Sequence, residues 1–143
     1  MRALRRDPNS VGAIGDVDVE WVAGHLDDRA ALSRAMHGCG VVFHCAAKLQ
    51  GGRREEYERV NVAGTEALAR EAVRARPDRF VYISSIAVYG YPDNRNITEE
   101  HIWTEQSLDP YVRTKQEAEK VFRGGLLKLR AVLKLVESGR EFE

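Results

Sequence analysis

The amino-acid sequence predicts a three-layer α/β domain built on a parallel sheet, and three observations carry that prediction. Strand-length apolar segments alternate with helix-length amphipathic ones along most of the chain. Residues 41–47 form an unbroken apolar run, as expected of a strand covered on both faces. Glycine and proline fall where the helical patterns stop, at Gly38, Gly40 and Pro77, and Pro110 stands where the last strong pattern starts.

Taken in order, residues 1–5 read as a short strand, stopped by the turn-forming cluster Asp7-Pro8-Asn9-Ser10. Val17, Val19 and Trp21 alternate with Asp18 and Glu20, so a second strand is expected to end near Gly24. Asp27 or Asp28 can cap a helix over residues 30–36. Beyond the apolar run, a polar, glycine-bearing loop spans residues 50–54. A long helix over residues 55–76 follows, with Tyr57, Val60, Gly64, Leu68 and Ala72 at helical spacing. Residues 80–84 make the next strand, and residues 91–109 form a long loop of the kind that is often functional. Asp109 caps, and Pro110 opens, a helix running to Arg123. Residues 124–143 read as a helical tail in which Leu126, Leu129, Leu133 and Val136 share a face.

The 143 residues fit one domain with enough material for a core. Lysine plus arginine and aspartate plus glutamate both number 22, so no excess charge points to nucleic acid or an anionic membrane. No apolar run approaches a membrane span, and no h-region follows the N-terminal arginines, so a cytoplasmic setting is expected. His37, Cys39, His44 and Cys45 lie close enough to invite a zinc reading. Adjacent strand residues point to opposite faces, however, which separates His44 from Cys45. Cys45 is therefore expected to be a small buried apolar residue, with no metal.

The chemistry-bearing stretch runs from Ser84 to Lys115. It joins hydroxyls at a strand's end (Ser84, Ser85) to a phenol and an ammonium one helical turn apart (Tyr111, Lys115). Oxidation of an alcohol or reduction of a carbonyl requires a proton to move at oxygen while hydride moves at carbon. A phenol with a reference pKa of about 10 needs a neighbouring positive charge to act as a base at neutral pH. Lys115 supplies that charge, Tyr111 becomes the acid/base, and Ser85 orients the substrate oxygen. The competing reading of Tyr111 and Lys115 is an aromatic packed on the sheet beside a solvated lysine.

Four segments in a fixed order carry a resemblance. They are Val42-Phe43-His44-Cys45-Ala46-Ala47, Asn61-Val62-Ala63-Gly64-Thr65, Ser84-Ser85-Ile86-Ala87-Val88-Tyr89-Gly90, and Tyr111 with Lys115. Together they resemble the extended short-chain dehydrogenase/reductase family of NAD-dependent epimerases, dehydratases and sterol-dehydrogenase-like reductases, over residues 1–123. The resemblance implies a Rossmann-type, doubly wound parallel sheet. It implies catalytic roles for Ser85, Tyr111 and Lys115, and cofactor contacts from Arg5, Arg6, Ala46, Ala47, Asn61, Ser84, Tyr111 and Lys115. Arginine at positions 5 and 6, where the family contacts the adenosine ribose, leans toward NADP over NAD. Ala46-Ala47-Lys48 is closest to the sterol-dehydrogenase and reductase branch. His25 departs from the family, which has aspartate near the adenine.

The family's first strand and glycine-rich pyrophosphate turn have no counterpart in the sequence. Gly12-Ala13-Ile14-Gly15 precedes a strand instead of a helix and reads as a turn. The chain is therefore expected to be a partial Rossmann domain, beginning at the family's second strand and leaving the family pattern after Arg123. Free strand edges would favour association, including with another copy. Three functional readings follow. The chain is an NAD(P)-dependent oxidoreductase, epimerase or dehydratase acting on a small molecule, a non-catalytic or partner-dependent fragment of one, or a nucleotide-binding regulatory module.

Overall fold

A computed structural model describes residues 1–7, 9, 17–89, 107–123 and 131–134. Strands β1 (Arg2–Arg5) and β2 (Glu20–Ala23) pair in parallel, from Arg2 opposite Glu20 to Arg5 opposite Ala23. Helix α1 (Arg29–Met36) leads to β3 (Val41–His44). A long helical stretch follows, made of α2 (Arg54–Tyr57), a π-helical segment (Glu58–Ala63) and α3 (Gly64–Ala75). Strand β4 (Arg79–Ile83), a 3-10 turn (Ile86–Tyr89), α4 (Pro110–Arg123) and β5 (Ala131–Lys134) complete the order. β4 lies between β3 and β5, parallel to both. The strands thus form two sheets, β1-β2 and β3-β4-β5. In the doubly wound order 3-2-1-4-5-6 these are the second and third, then the fourth to sixth members. No strand stands between β1 and β3 among the described residues.

One core nonetheless serves both sheets. Leu32 and Met36 of α1, Leu68, Ala69 and Ala72 of α3, and Ala118 of α4 pack with Phe80 and Tyr82 of β4. Leu4 of β1 and Val42 of β3 pack against this cluster. Arg2 fastens β1 to α1: its guanidinium donates to the His37 carbonyl at 2.6 Å, near the helix's negative end, and pairs with Glu20 at 3.0 Å. Two glycines permit close approaches. A side chain at Gly24 would collide with Ala31 Cβ, and one at Gly64 would meet Leu26 Cδ1 at 2.7 Å. The Gly64 contact explains why a poor helix former stands inside the helical stretch.

Local signals act largely as expected. Asp28 caps α1 by accepting from the Ala31 amide at 3.0 Å. Gly38 takes a left-handed φ of 71° just past α1, and Arg76 takes one of 52° at the end of α3, immediately before Pro77.

Four expectations need correction. β3 ends at His44 and is covered on one face only: Val42 packs on the core, whereas Val41 and Phe43 are 46% and 66% exposed. Val81, the partner of Phe43 in the register, is buried all the same. Cys45, just beyond that strand end, is exposed instead of buried. Lastly, Ala131–Lys134 forms β5 and not part of a helix. A short apolar run with a β-branched residue fits either period, and pairing with the free edge of β4 decides it. The rest of that tail, the loop over residues 91–106 and the Gly12–Gly15 turn lie outside the described residues. No helix among the described residues is long and apolar enough to cross a membrane.

Candidate active site

The start of α4 is fixed first. Asp109 Oδ1 accepts from the Tyr111 amide at 2.8 Å and from the Val112 amide at 3.3 Å, and Pro110 needs no partner for a missing N–H. Tyr111 therefore enters the helix in a set orientation, half-buried. Past it, Val112, Thr114, Lys115, Gln116, Ala118 and Glu119 are all buried, an unusually polar set for a core-facing surface.

Those polar groups grip the segment that follows β4. Lys115 Nζ donates to the Ile83 carbonyl at 2.7 Å and lies 4.3 Å from the centroid of the Tyr82 ring. Glu119 Oε1 accepts from the Ser84 hydroxyl at 2.5 Å. Gln116 Nε2 donates to the Val88 carbonyl at 2.7 Å. Ser85 lies between these anchors, 2% exposed, and its Oγ accepts from the Ala87 amide at 3.3 Å, bracing the 3-10 turn. Burial lowers the Lys115 pKa to about 8, while the charges of Glu119 and Cys45 act in the opposite direction. The Tyr82 phenol is driven upward, first by burial and then by Glu119 and Tyr111.

A second set of bonds ties α4 to the loop after β3. Asn61, in the π-helical segment, accepts from the Lys48 amide at 2.7 Å and donates to the Lys48 carbonyl at 3.1 Å. It also donates to Thr114 Oγ1 at 2.9 Å. Such π-turns re-aim a single side chain and are frequent at functional sites. Asn61 thus holds the backbone immediately after Ala46 and Ala47, of which Ala46 is exposed and Ala47 partly so. Beneath that loop, His44 is 2% exposed, with Nε2 2.8 Å from Thr65 Oγ1. Thr65 donates its one proton to the Asn61 carbonyl at 2.6 Å, so His44 carries its proton on Nε2. Burial, and then the Lys115 charge, hold the His44 pKa down at about 3.

The candidate residues consequently fall into two groups. Ser84, Ser85, Tyr111 and Lys115 belong to one β4–α4 unit, to which Asn61 and the Ala46-Ala47 segment are joined through Thr114 and Lys48. Arg5 and Arg6 stand apart on the other sheet: the Arg5 guanidinium lies 4.9 Å from the Trp21 ring centroid, and Arg6 is exposed. Sequence reasoning missed Glu119, Gln116, Thr114 and Lys48. Glu119 had a readable signal, since Tyr111, Lys115 and Glu119 recur every four residues along one helix face. Lys48 and Gln116 are joined through backbone groups, and Thr114 to a side chain 53 residues away, neither of which sequence spacing reveals.

Parallel strands joined by helices, with polar groups gathered at strand carboxyl ends, define a Rossmann-type domain. Comparison with known proteins makes the class specific. The profile of the NAD-dependent epimerase/dehydratase family matches residues 1–124, and the chain belongs to that family. A sterol demethylase protein B of Methylococcus capsulatus is 36% identical over 124 residues, covering 83% of this chain and 37% of that protein. A short-chain dehydrogenase/reductase superfamily protein of Agrobacterium tumefaciens, solved with bound NAD, superimposes with a TM-score of 0.76 at 32% identity. That match covers 92% of this chain and 40% of the other. The UDP-glucose 4-epimerase of Brucella ovis, solved with NAD, gives a TM-score of 0.71 at 30% identity over 82% of this chain and 38% of its own. The chain thus spans a little over a third of the length of such relatives.

Proposed function

We propose that this chain carries the proton-handling part of an NAD(P)-dependent oxidoreductase, epimerase or dehydratase site acting on a hydroxyl or carbonyl of a small molecule. The observation that carries the proposal is the placement of the Lys115 ammonium. It lies 2.7 Å from the carbonyl of Ile83, which stands two residues before Ser85, and Lys115 follows Tyr111 by one helical turn. In this reading the Tyr111 hydroxyl gives or takes the proton at the substrate oxygen. Ser85 donates a hydrogen bond to the same oxygen and orients it. Lys115 supplies fixed positive charge beside the phenol.

The residues present fit one half of a dinucleotide. The Ala46-Ala47 segment, with Ala46 exposed and Ala47 partly so, and the Tyr111–Lys115 face can receive a nicotinamide and its ribose. A glycine-rich turn that would hold the pyrophosphate is not among the described residues. When bound, the cofactor supplies the hydride donor or acceptor. The Agrobacterium and Brucella structures contain NAD, so NAD is the proposed ligand, and the arginine-based lean toward NADP finds no support in them. A cytoplasmic setting, and no nucleic-acid or membrane partner, belong to the same proposal.

A second reading rests on the separation of the two sheets. There the chain is a partner-dependent unit that cannot hold the cofactor alone. Calorimetric titration with NAD and with NADP separates the two, because binding by neither to a folded chain supports the second reading. In a preparation that turns over, Tyr111→Phe should abolish turnover while leaving cofactor affinity nearly unchanged. Turnover retained in that variant would refute the acid/base assignment.

A further inference from the structure

We propose that Glu119 is a positioning residue of this site: its buried carboxylate holds the Ser84 hydroxyl and supplies the counter-charge for the Lys115 ammonium. The inference rests on the proposed acid/base reading of Tyr111 and Lys115 for its importance, but not for its physics.

Glu119 is 0% exposed, on the α4 face that carries Lys115 and Tyr111 one and two turns earlier. A carboxylate at such depth is strongly destabilising unless it is hydrogen-bonded and its charge is offset. Ser84 meets the first requirement at 2.5 Å. Being neutral, its hydroxyl cannot meet the second. Lys115, 2% exposed and one turn away on the same face, can. The benefit is mutual, since burial weakens proton binding by Lys115 and the Glu119 charge strengthens it. The other groups bearing on Lys115 are Tyr82 beneath it on β4, His44 on β3, and Cys45 just beyond β3. Among them Glu119 is the carboxylate. It also holds the hydroxyl of the residue immediately before Ser85, so one side chain bears on both the charge and the strand exit of the site.

Glu119→Gln separates a charge role from a packing role. Glutamine keeps the shape and can still accept from Ser84, but it carries no charge. The readout is the titration of Lys115 in the free chain, followed by NMR of nitrogen-labelled lysine without cofactor or substrate. Wild type should titrate at about 8. Glu119→Gln should lower the Lys115 proton affinity about tenfold. Ser84→Ala, which keeps the carboxylate, should leave it within about twofold. An unchanged Lys115 midpoint in a folded Glu119→Gln chain overturns the proposal, as does an equal fall in Ser84→Ala. If Glu119→Gln does not fold, Glu119→Asp carries the test. Drawing the charge back by one methylene should move the midpoint the same way by less, and no movement overturns the proposal. Because no turnover is read, failure here leaves Tyr111→Phe as an independent test of the acid/base assignment.

Discussion

His44 should make the chain acid-sensitive to a degree that can be isolated. Its imidazole is 2% exposed, and its centroid lies 5.3 Å from that of Tyr82 and 6.3 Å from that of Phe80. Protonation would add a second N–H in that packed space and a second positive charge near Lys115. The folded-state pKa of about 3 lies below the ordinary 6.5, so between these values the unfolded chain binds more protons than the folded one. Stability therefore rises with pH across that window and falls on acidification. From about pH 7 to about pH 4 the loss attributable to His44 is about 3 kcal/mol. For a domain of this size that corresponds to roughly 10 °C in Tm. Other groups also titrate there, so the informative quantity is the difference between wild type and His44→Gln, whose amide can still donate to Thr65. Thermal unfolding followed by circular dichroism should show curves for the two proteins that diverge as pH falls, with the variant losing less. Parallel curves would refute a buried neutral His44.

Three further outcomes follow from the same structure. Asn61→Ala should cost about 2–4 kcal/mol in urea unfolding, because it strands the Lys48 amide and carbonyl and removes the tie to Thr114. Lys115 titrates at about 8 when folded and at 10.5 in its ordinary state, so the unfolded chain binds more protons between those values. Stability should therefore rise with pH across that window by about 3 kcal/mol, and Lys115→Met should abolish the rise. Phe43→Ser, at a side chain 66% exposed on the open face of β3, should change stability by less than about 0.5 kcal/mol. The same substitution should reduce any concentration-dependent association seen by sedimentation.

Legibility in the sequence followed the range of the signal. Asp28, Asp109 and Pro110 act within a helical turn, and the structure uses each as local rules require. The strand end at Ile83 and the helix start at Pro110 were readable because both are local geometry. Failures arose where distant chain decides. Residues 41–47 are apolar enough for burial on both faces, but whether a second layer covers Val41 and Phe43 is not a property of that segment. Likewise, residues 131–134 are neutral between helix and strand until the edge of β4 is offered. Cys45 illustrates the same limit: a small apolar residue at a strand exit is buried only if something passes over it. The bonds of Asn61 to Lys48 and Thr114 span separations of 13 and 53 residues and depend on a π-turn that periodicity does not announce.

The arrangement of anchors bears on how a site could persist although the strands form two sheets. Ile83, Ser84 and Val88 are each held from α4, by Lys115, Glu119 and Gln116. α4 is in turn tied through Thr114 and Asn61 to Lys48 and the loop beyond β3. None of these bonds involves β1 or β2, whose attachment runs through Leu4 in the core and Arg2 at the end of α1. The bonds that fix the proposed acid/base residues thus lie within residues 44–119 and do not run through β1 or β2. Joining the two sheets concerns a different task, which is gripping the far half of a dinucleotide. In the proposed reading, proton handling and cofactor retention are therefore physically separable in this fold. A chain could keep the first fully formed while depending on additional polypeptide for the second.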